Sequence, residues 1–153
     1  MQTFLPFNNF YRTANILDSK RLNKQIVEVY QIFAANHYKG GWKNHPAVLM
    51  WKGYDIALFN YLYNLHQVYR LRGRKEYHQS WLNFIKMYFD IYHRDPFDDM
   101  LYTQYKFPEW LGDERFHSSH RSNLLRKDPE YYGQFEWTEG PDLPYFWPTK
   151  EGY

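Results

Sequence analysis

The chain of 153 residues contains no cysteine. Disulfide bonds, thiolate nucleophiles and cysteine-ligated zinc are therefore excluded, and we expect a reducing compartment such as the cytoplasm of a bacterial or phage-infected cell. The sequence has no run of about 18 apolar residues, so no membrane span is predicted. Residues 1–13 lack a basic stretch followed by an apolar one, so a secretory signal is not predicted either.

Several catalytic and nucleotide-binding motifs are also missing. The sequence has no G-x-S-x-G elbow of a serine hydrolase, no glycine-rich phosphate loop and no dinucleotide-binding fingerprint. Two of the seven histidines, His117 and His120, are three residues apart, but neither an HExxH motif nor a neighbouring carboxylate cluster accompanies them. We therefore expect neither a metal nor a cofactor.

The net charge is small, but the charged residues are unevenly distributed along the chain. The net charge is only +2, and residues 127–153 hold two of the 19 Lys and Arg residues but six of the 17 Asp and Glu residues. The first 126 residues therefore carry 17 basic and 11 acidic side chains, which favours a polyanionic partner. Aromatic residues reach 22%, more than a small core needs, and such rings can also stack on nucleobases.

The clearest helical pattern is Leu17–Phe33. Its apolar residues recur at helical spacing, and a second face carries polar side chains at i, i+3, i+4 and i+7. This second face consists of Arg21, Lys24, Gln25 and Glu28. It is either a solvated polar face or a carboxylate held among cations that bind phosphate.

The remaining pattern predicts an all-α protein with one compact domain over 1–137 and an extended, Pro- and Trp-rich tail over 138–153. Residues 1–12 should be extended, and Thr13 or Asp18 should cap the first helix. The second helix should be a single rod from Pro46 to Arg72 and the third should span Lys75–Tyr92. A long loop is expected over 94–112, then a short helix over 114–127 and one more turn from residue 129.

Residues 115–127 concentrate side chains that donate to phosphate oxygens. The alternative is a solvated basic helix. Tyr131 and Tyr132 follow as rings that could stack on bases, and Gln25 and His45 complete the candidate DNA-binding set. The candidates within the segment are His117, Ser119, His120, Arg121, Asn123, Arg126 and Lys127.

Three segments carry a family resemblance. LNKQIVE ends in Glu28, HPAVLMWKG opens a helix that continues to Gly73, and RFHSSHRSNLLRKDPEYYG closes the series. In this order they resemble the pyrimidine-dimer DNA glycosylase/AP-lyase family, small helical phage repair enzymes also called endonuclease V. The resemblance covers most of residues 1–137; the tail after Trp137 and much of 75–112 have no counterpart.

The resemblance implies a nucleophile and a carboxylate. The family uses the N-terminal α-amine, here that of Met1, to attack C1′ of the damaged nucleotide, and the strand is then cut by β-elimination. Glu28 would stabilise the cationic sugar and move protons, while Arg21 and Lys24 would hold phosphates. Well-known members have Thr at position 2, but this chain has Gln2, whose bulk disfavours removal of Met1. Either the amine of Met1 attacks, or Glu28 activates water and the lyase step is lost.

We therefore expect a monomeric DNA repair glycosylase that acts on a damaged or modified base in duplex DNA. A helical nucleic-acid-binding module without catalysis is one alternative, and an enzyme that modifies nucleotides is another.

Overall fold

The computed structural model describes residues 1–38 and 40–148. This part of the chain is helical without any strand, so the predicted all-α class is confirmed, and none of its helices is long and apolar enough to cross a membrane. The helices are α1 Phe10–Ile16, α2 Ser19–His37, α3 Pro46–Trp51, α4 Asp55–Leu71, α5 Gln79–Tyr92, α6 Pro96–Tyr102, α7 Glu114–Lys127 and α8 Pro129–Tyr132, followed by a 3₁₀ turn Gly133–Phe135.

The beginning of the chain differs from the prediction in one respect. The side chain of Asn9 accepts a hydrogen bond from the backbone of Arg12, so α1 already starts at Phe10 and includes Thr13. Asp18 caps α2 as predicted, because its carboxylate accepts from the backbone N–H of Arg21.

The prediction of one rod from Pro46 to Arg72 is wrong. Apolar residues do recur at helical spacing throughout residues 46–72 and form one apolar stripe. The backbone nevertheless leaves the helical conformation at residues 52–54, where Gly53 adopts φ +86°. Such a left-handed residue ends a helix, and glycine tolerates it because it lacks a Cβ. The stripe therefore belongs to two helices, α3 and α4.

The third predicted helix and the predicted loop also need correction. His78 caps α5 by accepting from the backbone of Ser80, so this helix begins four residues later than expected. Within the expected loop over 94–112, Asp95 caps α6 and Pro96 occupies its first turn. The bounds of α7 and the turn from Pro129 are confirmed.

The core lies around α2 and α4. Helix α2 packs against α3, α4 and α5, while α4 also packs against α1 and α6. Stacked rings fill much of this space: Phe33 lies on Phe84 with 4.1 Å between centroids, and Trp51 lies parallel to Tyr61. Much of the high aromatic content is therefore structural.

The first six residues form what we call the N-terminal arm. Gln2, Thr3, Phe4 and Leu5 are buried although they belong to no helix or strand. Buried backbone groups must find hydrogen-bond partners, and outside regular structure these have to come from side chains. The residues that supply them also form the candidate site.

Candidate active site

Glu28 lies on α2, directly beside the N-terminal arm. Its side chain is only 9% exposed, and its Oε2 atom accepts hydrogen bonds from the backbone N–H of Gln2 at 3.2 Å and from Nε2 of Gln25 at 3.1 Å. Its Oε1 atom lies 3.9 Å from Nζ of Lys24. The carboxylate is thus fixed in position, with its second oxygen facing a cation at the surface.

Gln25 holds the arm against α2. Its Nε2 donates to the carbonyl of Gln2 at 2.7 Å, and its Oε1 accepts from the backbone N–H of Phe4 at 2.8 Å. The Tyr61 hydroxyl on α4 lies 2.8 Å from the same Oε1 atom and 2.7 Å from the Phe4 carbonyl. Burial, and then the charge of Glu28, raises the pKa of Tyr61, which therefore stays protonated. Tyr61 lies within the helix predicted over residues 46–72, and helical periodicity gives no sign of this polar role.

The cations around Glu28 differ in their freedom. Arg21 is tied to Asp18 at 3.2 Å, with its side chain 17% exposed, whereas the side chain of Lys24 is 69% exposed. Lys127, at the end of α7, lies near both: burial lowers its pKa, and Arg21 and Lys24 lower it further. Lys24 of α2 and Lys127 of α7 therefore carry positive charge near the buried carboxylate, and Arg21 lies close to Lys127.

His45 lies close to the start of the chain. It caps α3 by accepting from the backbone of Ala47 through Nδ1 at 3.1 Å. Burial lowers the pKa of His45, and the positive charge of the amino terminus lowers it further. Its neutral ring therefore adds no second charge beside that amine.

Helix α7 holds the other side of the arm. The Nδ1 atom of His120 accepts from the backbone N–H of Leu5 at 3.1 Å, and Nδ1 of His117 lies 2.8 Å from the carbonyl of Leu5. Arg121 donates to the carbonyl of Pro6 at 2.7 Å. His117 and His120 are buried, so as folded they offer no surface to a phosphate.

Other residues of α7 bind the tail. The hydroxyl of Ser119 accepts from the backbone of Phe146, and the amide of Asn123 donates to the carbonyls of Ser119 and Leu143. Arg126 donates to the carbonyls of Pro141 and Leu143. Ser119 and Asn123 are buried and offer no free donor surface, whereas Arg126 is exposed although it is engaged with the tail.

The two tyrosines of α8 have structural partners as well. Tyr132 is fully buried, and its hydroxyl donates to Asp18 at 2.5 Å. Burial opposes the effect, but hydrogen bonds from Tyr132 and Arg21 hold the pKa of Asp18 below its usual value. Tyr131 is half-buried and donates to the carbonyl of Ile16 at 3.0 Å. Neither phenol hydroxyl is left free for DNA.

The family model described as pyrimidine dimer DNA glycosylase matches residues 1–82. This is more than half of the chain. The chain belongs to the pyrimidine dimer DNA glycosylase family. Neither the curated proteins nor the solved structures contain a match to it.

The family match contains the part of the site that surrounds Glu28. The arm, α2, α3 and α4 all lie inside residues 1–82, whereas α7 and the tail lie outside. This pyrimidine dimer glycosylase family member thus has its central carboxylate and its N-terminal arm in the matched region. Across residues 1–38 and 40–148, no group of three or more His, Asp or Glu side chains is arranged to hold a metal.

Acidification should weaken the attachment of the arm through His120. Burial, and then the charge of His117, lowers the pKa of His120 to about 3, compared with about 6.5 for an unfolded histidine. The unfolded chain therefore takes up a proton that the folded chain refuses, and the free energy of unfolding should fall as the pH drops from about 6.5 towards 3. The amide oxygen of His120→Asn can still accept from Leu5, but it does not titrate. The free energy of unfolding of this variant should therefore fall less steeply with decreasing pH, by a slope that corresponds to up to about one fewer proton taken up on unfolding.

Urea unfolding of both proteins at several pH values between 7 and 4 measures this slope. The variant should be less stable at pH 7, because the smaller side chain leaves space in the core. An equally steep fall in both proteins would show that His120 does not contribute to it.

Proposed function

We propose that this family member excises a damaged pyrimidine from duplex DNA, with its chemistry at the contact between the N-terminal arm and Glu28. The supporting observation is the hydrogen bond from the backbone nitrogen of Gln2 to the buried carboxylate. It brings the start of the chain, a carboxylate and a group of cations to one place. A glycosylase needs a nucleophile and a charge that stabilises the developing sugar cation, and these groups supply both.

The nucleophile we propose is the chain's α-amine. In its neutral form it bonds to C1′ of the damaged nucleotide while the N-glycosidic bond breaks, and the base leaves with that electron pair and takes up a proton. The attached amine loses a proton, the C1′–O4′ bond of the sugar ring opens as O4′ takes up a proton, and the nitrogen lone pair forms the iminium. The iminium then loses a proton from C2′, and the C3′–O bond breaks with the phosphate as leaving group, which cuts the strand. Alpha-amines ionise near pH 8, about two units below lysine, so a useful fraction of such groups is neutral at cellular pH.

Glu28 serves both steps in this proposal. Its negative charge stabilises the cationic sugar, and its Oε1 atom, which no backbone group occupies, can exchange protons with the substrate. If Met1 is retained, the amine is one residue away from the Gln2 nitrogen. If Met1 is removed, the amine is that nitrogen itself, in contact with the carboxylate.

Gln2 adds a donor to the same place. It is 7% exposed, and its Nε2 has no hydrogen-bond partner among the residues described. A buried amide donor without a partner is costly, and a substrate oxygen or a bound water would satisfy it. This fits the variant of the mechanism in which a water positioned near Glu28 attacks C1′ instead of the amine.

The surface beside the carboxylate suits a nucleic-acid backbone. Lys24 has only a weak, exposed ion pair with Glu28, so its ammonium can turn to a phosphate. Lys127 and Arg21 extend the same positive region. These three cations carry the proposed phosphate contacts, while the buried polar residues of α7 hold the arm and tail in place.

Glu28→Gln should abolish catalysis without abolishing binding. The amide keeps an oxygen that can accept from Gln2 but loses the negative charge, so base release should fall by about 10²-fold or more. The measurement is single-turnover cleavage of the N-glycosidic bond in a duplex with a cyclobutane pyrimidine dimer, together with the Kd for the same duplex. Glu109→Gln, at an exposed carboxylate outside the site, is the matched control. An undiminished rate in Glu28→Gln would overturn the assignment, and binding by both wild type and variant without any product would favour the non-catalytic module.

Lys24→Ala should weaken binding in a salt-dependent way. Loss of one phosphate contact should reduce the slope of log K against log salt by about 0.9. Lys86→Ala is the matched control, because Lys86 is also exposed and also pairs with a carboxylate four residues later, Asp90 at 3.6 Å. Equal slopes for wild type and Lys24→Ala would exclude a phosphate contact at Lys24.

A further inference from the structure

The described part of the tail, residues 138–148, crosses α7 and ends at the candidate active site. The remaining predicted tail, residues 149–153, lies outside the described residues. Hydrogen bonds to α7 anchor the described part of the tail. Glu139 accepts from Ser118 and Arg121, and the backbone N–H of Leu143 donates to the hydroxyl of Ser122. The last anchor is the backbone N–H of Phe146, which donates to Ser119 at 3.1 Å.

A row of rings leads from the surface to the core along this end of the tail. Trp42 lies 5.6 Å from His45, His45 lies 5.9 Å from Trp147, and Trp147 lies 5.8 Å from Tyr145, all between ring centroids. Tyr145 in turn lies 5.5 Å from His120. The row joins two segments that are about 100 residues apart in the sequence, the loop before α3 and the tail.

The charges of the catalytic region act on this row. The amino terminus influences His45, and burial raises the pKa of Tyr145 to about 12, with Arg126, Glu28 and Arg21 also acting on it. Tyr145 also packs on His120, which holds Leu5 of the arm, so this end of the row lies beside the arm that carries the proposed nucleophile.

Part of the row remains open to solvent. Trp42 is 58% exposed, and Trp147 is half-buried beyond the last anchor of the tail. A tryptophan ring that is exposed to water lacks the stabilisation that burial would give it, and here two such rings contact the imidazole of His45. Arg126 and Arg21 place positive charge near Tyr145 at one end of the row, which complements a phosphodiester backbone.

We propose that Trp147 and Tyr145 of the tail, with Trp42 next to His45, form a stacking site for a nucleobase that has left the duplex. This inference rests on the proposed function and adds residues that determine its selectivity. A base stacked on an aromatic side chain contributes about 1–3 kcal/mol, and every base has a face that can stack. The stacked base belongs either to the lesion strand or to the opposite strand.

The test compares affinities for duplexes that differ in which bases are present. The probes are a duplex with a cyclobutane dimer opposite normal adenines and a duplex with tetrahydrofuran abasic analogues at the corresponding positions of both strands. Trp147→Ala should weaken binding to the dimer duplex by on the order of tenfold and leave binding to the doubly abasic duplex unchanged. Trp147→Phe, which keeps a smaller ring, should recover most of the loss.

Further duplexes and variants complete the experiment. Two further duplexes show which strand provides the base. One has a dimer opposite abasic analogues, and the other has abasic analogues opposite adenines. Only the duplex that retains the stacked base will lose affinity in Trp147→Ala. Tyr102→Ala is the control, since Tyr102 is 81% exposed on α6 and away from the row. Equal losses on the dimer and the doubly abasic duplex would show that Trp147 only supports the fold or the backbone contact, and would overturn the inference. Unchanged affinity for every duplex would also overturn it.

Failure of the proposed function has a different signature. Wild-type protein that binds the dimer duplex no better than an undamaged duplex would overturn both the lesion preference and the stacking site that rests on it.

Discussion

The fold depends on one constraint: an irregular segment at the start of the chain is buried, and side chains must satisfy its backbone. Gln25 and Glu28 do so from α2, Tyr61 from α4, and His117 and His120 from α7. Each group is costly to leave without a partner, so the positions of the arm, α2, α4 and α7 depend on one another in the folded protein. The same hydrogen bonds that hold the arm also position the carboxylate that we propose for catalysis.

The part of the site on α2 could be predicted from the sequence because helical spacing is a local property. Residues at i, i+3, i+4 and i+7 share a face, so the sequence alone predicts that Arg21, Lys24, Gln25 and Glu28 lie together. The role of Gln25 could not be predicted, because its partners Gln2, Phe4 and Tyr61 lie 21 to 36 residues away. No periodicity indicates which backbone groups of an irregular segment will need a side chain.

The polar segment of α7 shows why composition alone is ambiguous. Histidine, serine and arginine donate to phosphate oxygens, but the same atoms can serve backbone groups within the protein. In the fold, His120 serves the arm and Ser119 the tail, and the resemblance of this segment to its family did not distinguish these uses. The break at Gly53 was missed for a related reason, since the apolar stripe continues through it and only the backbone angle reveals it.

The central claim is that chemistry occurs where the chain's own start meets Glu28. Borohydride trapping on a duplex with an abasic site, followed by mass mapping of the adduct, tests it most directly, because reduction fixes the iminium to the amine that formed it. The account predicts a covalent adduct on the first residue of the mature chain, whether that residue is Met1 or Gln2. An adduct on Lys24 or another lysine would contradict it, as would strand cleavage without any adduct.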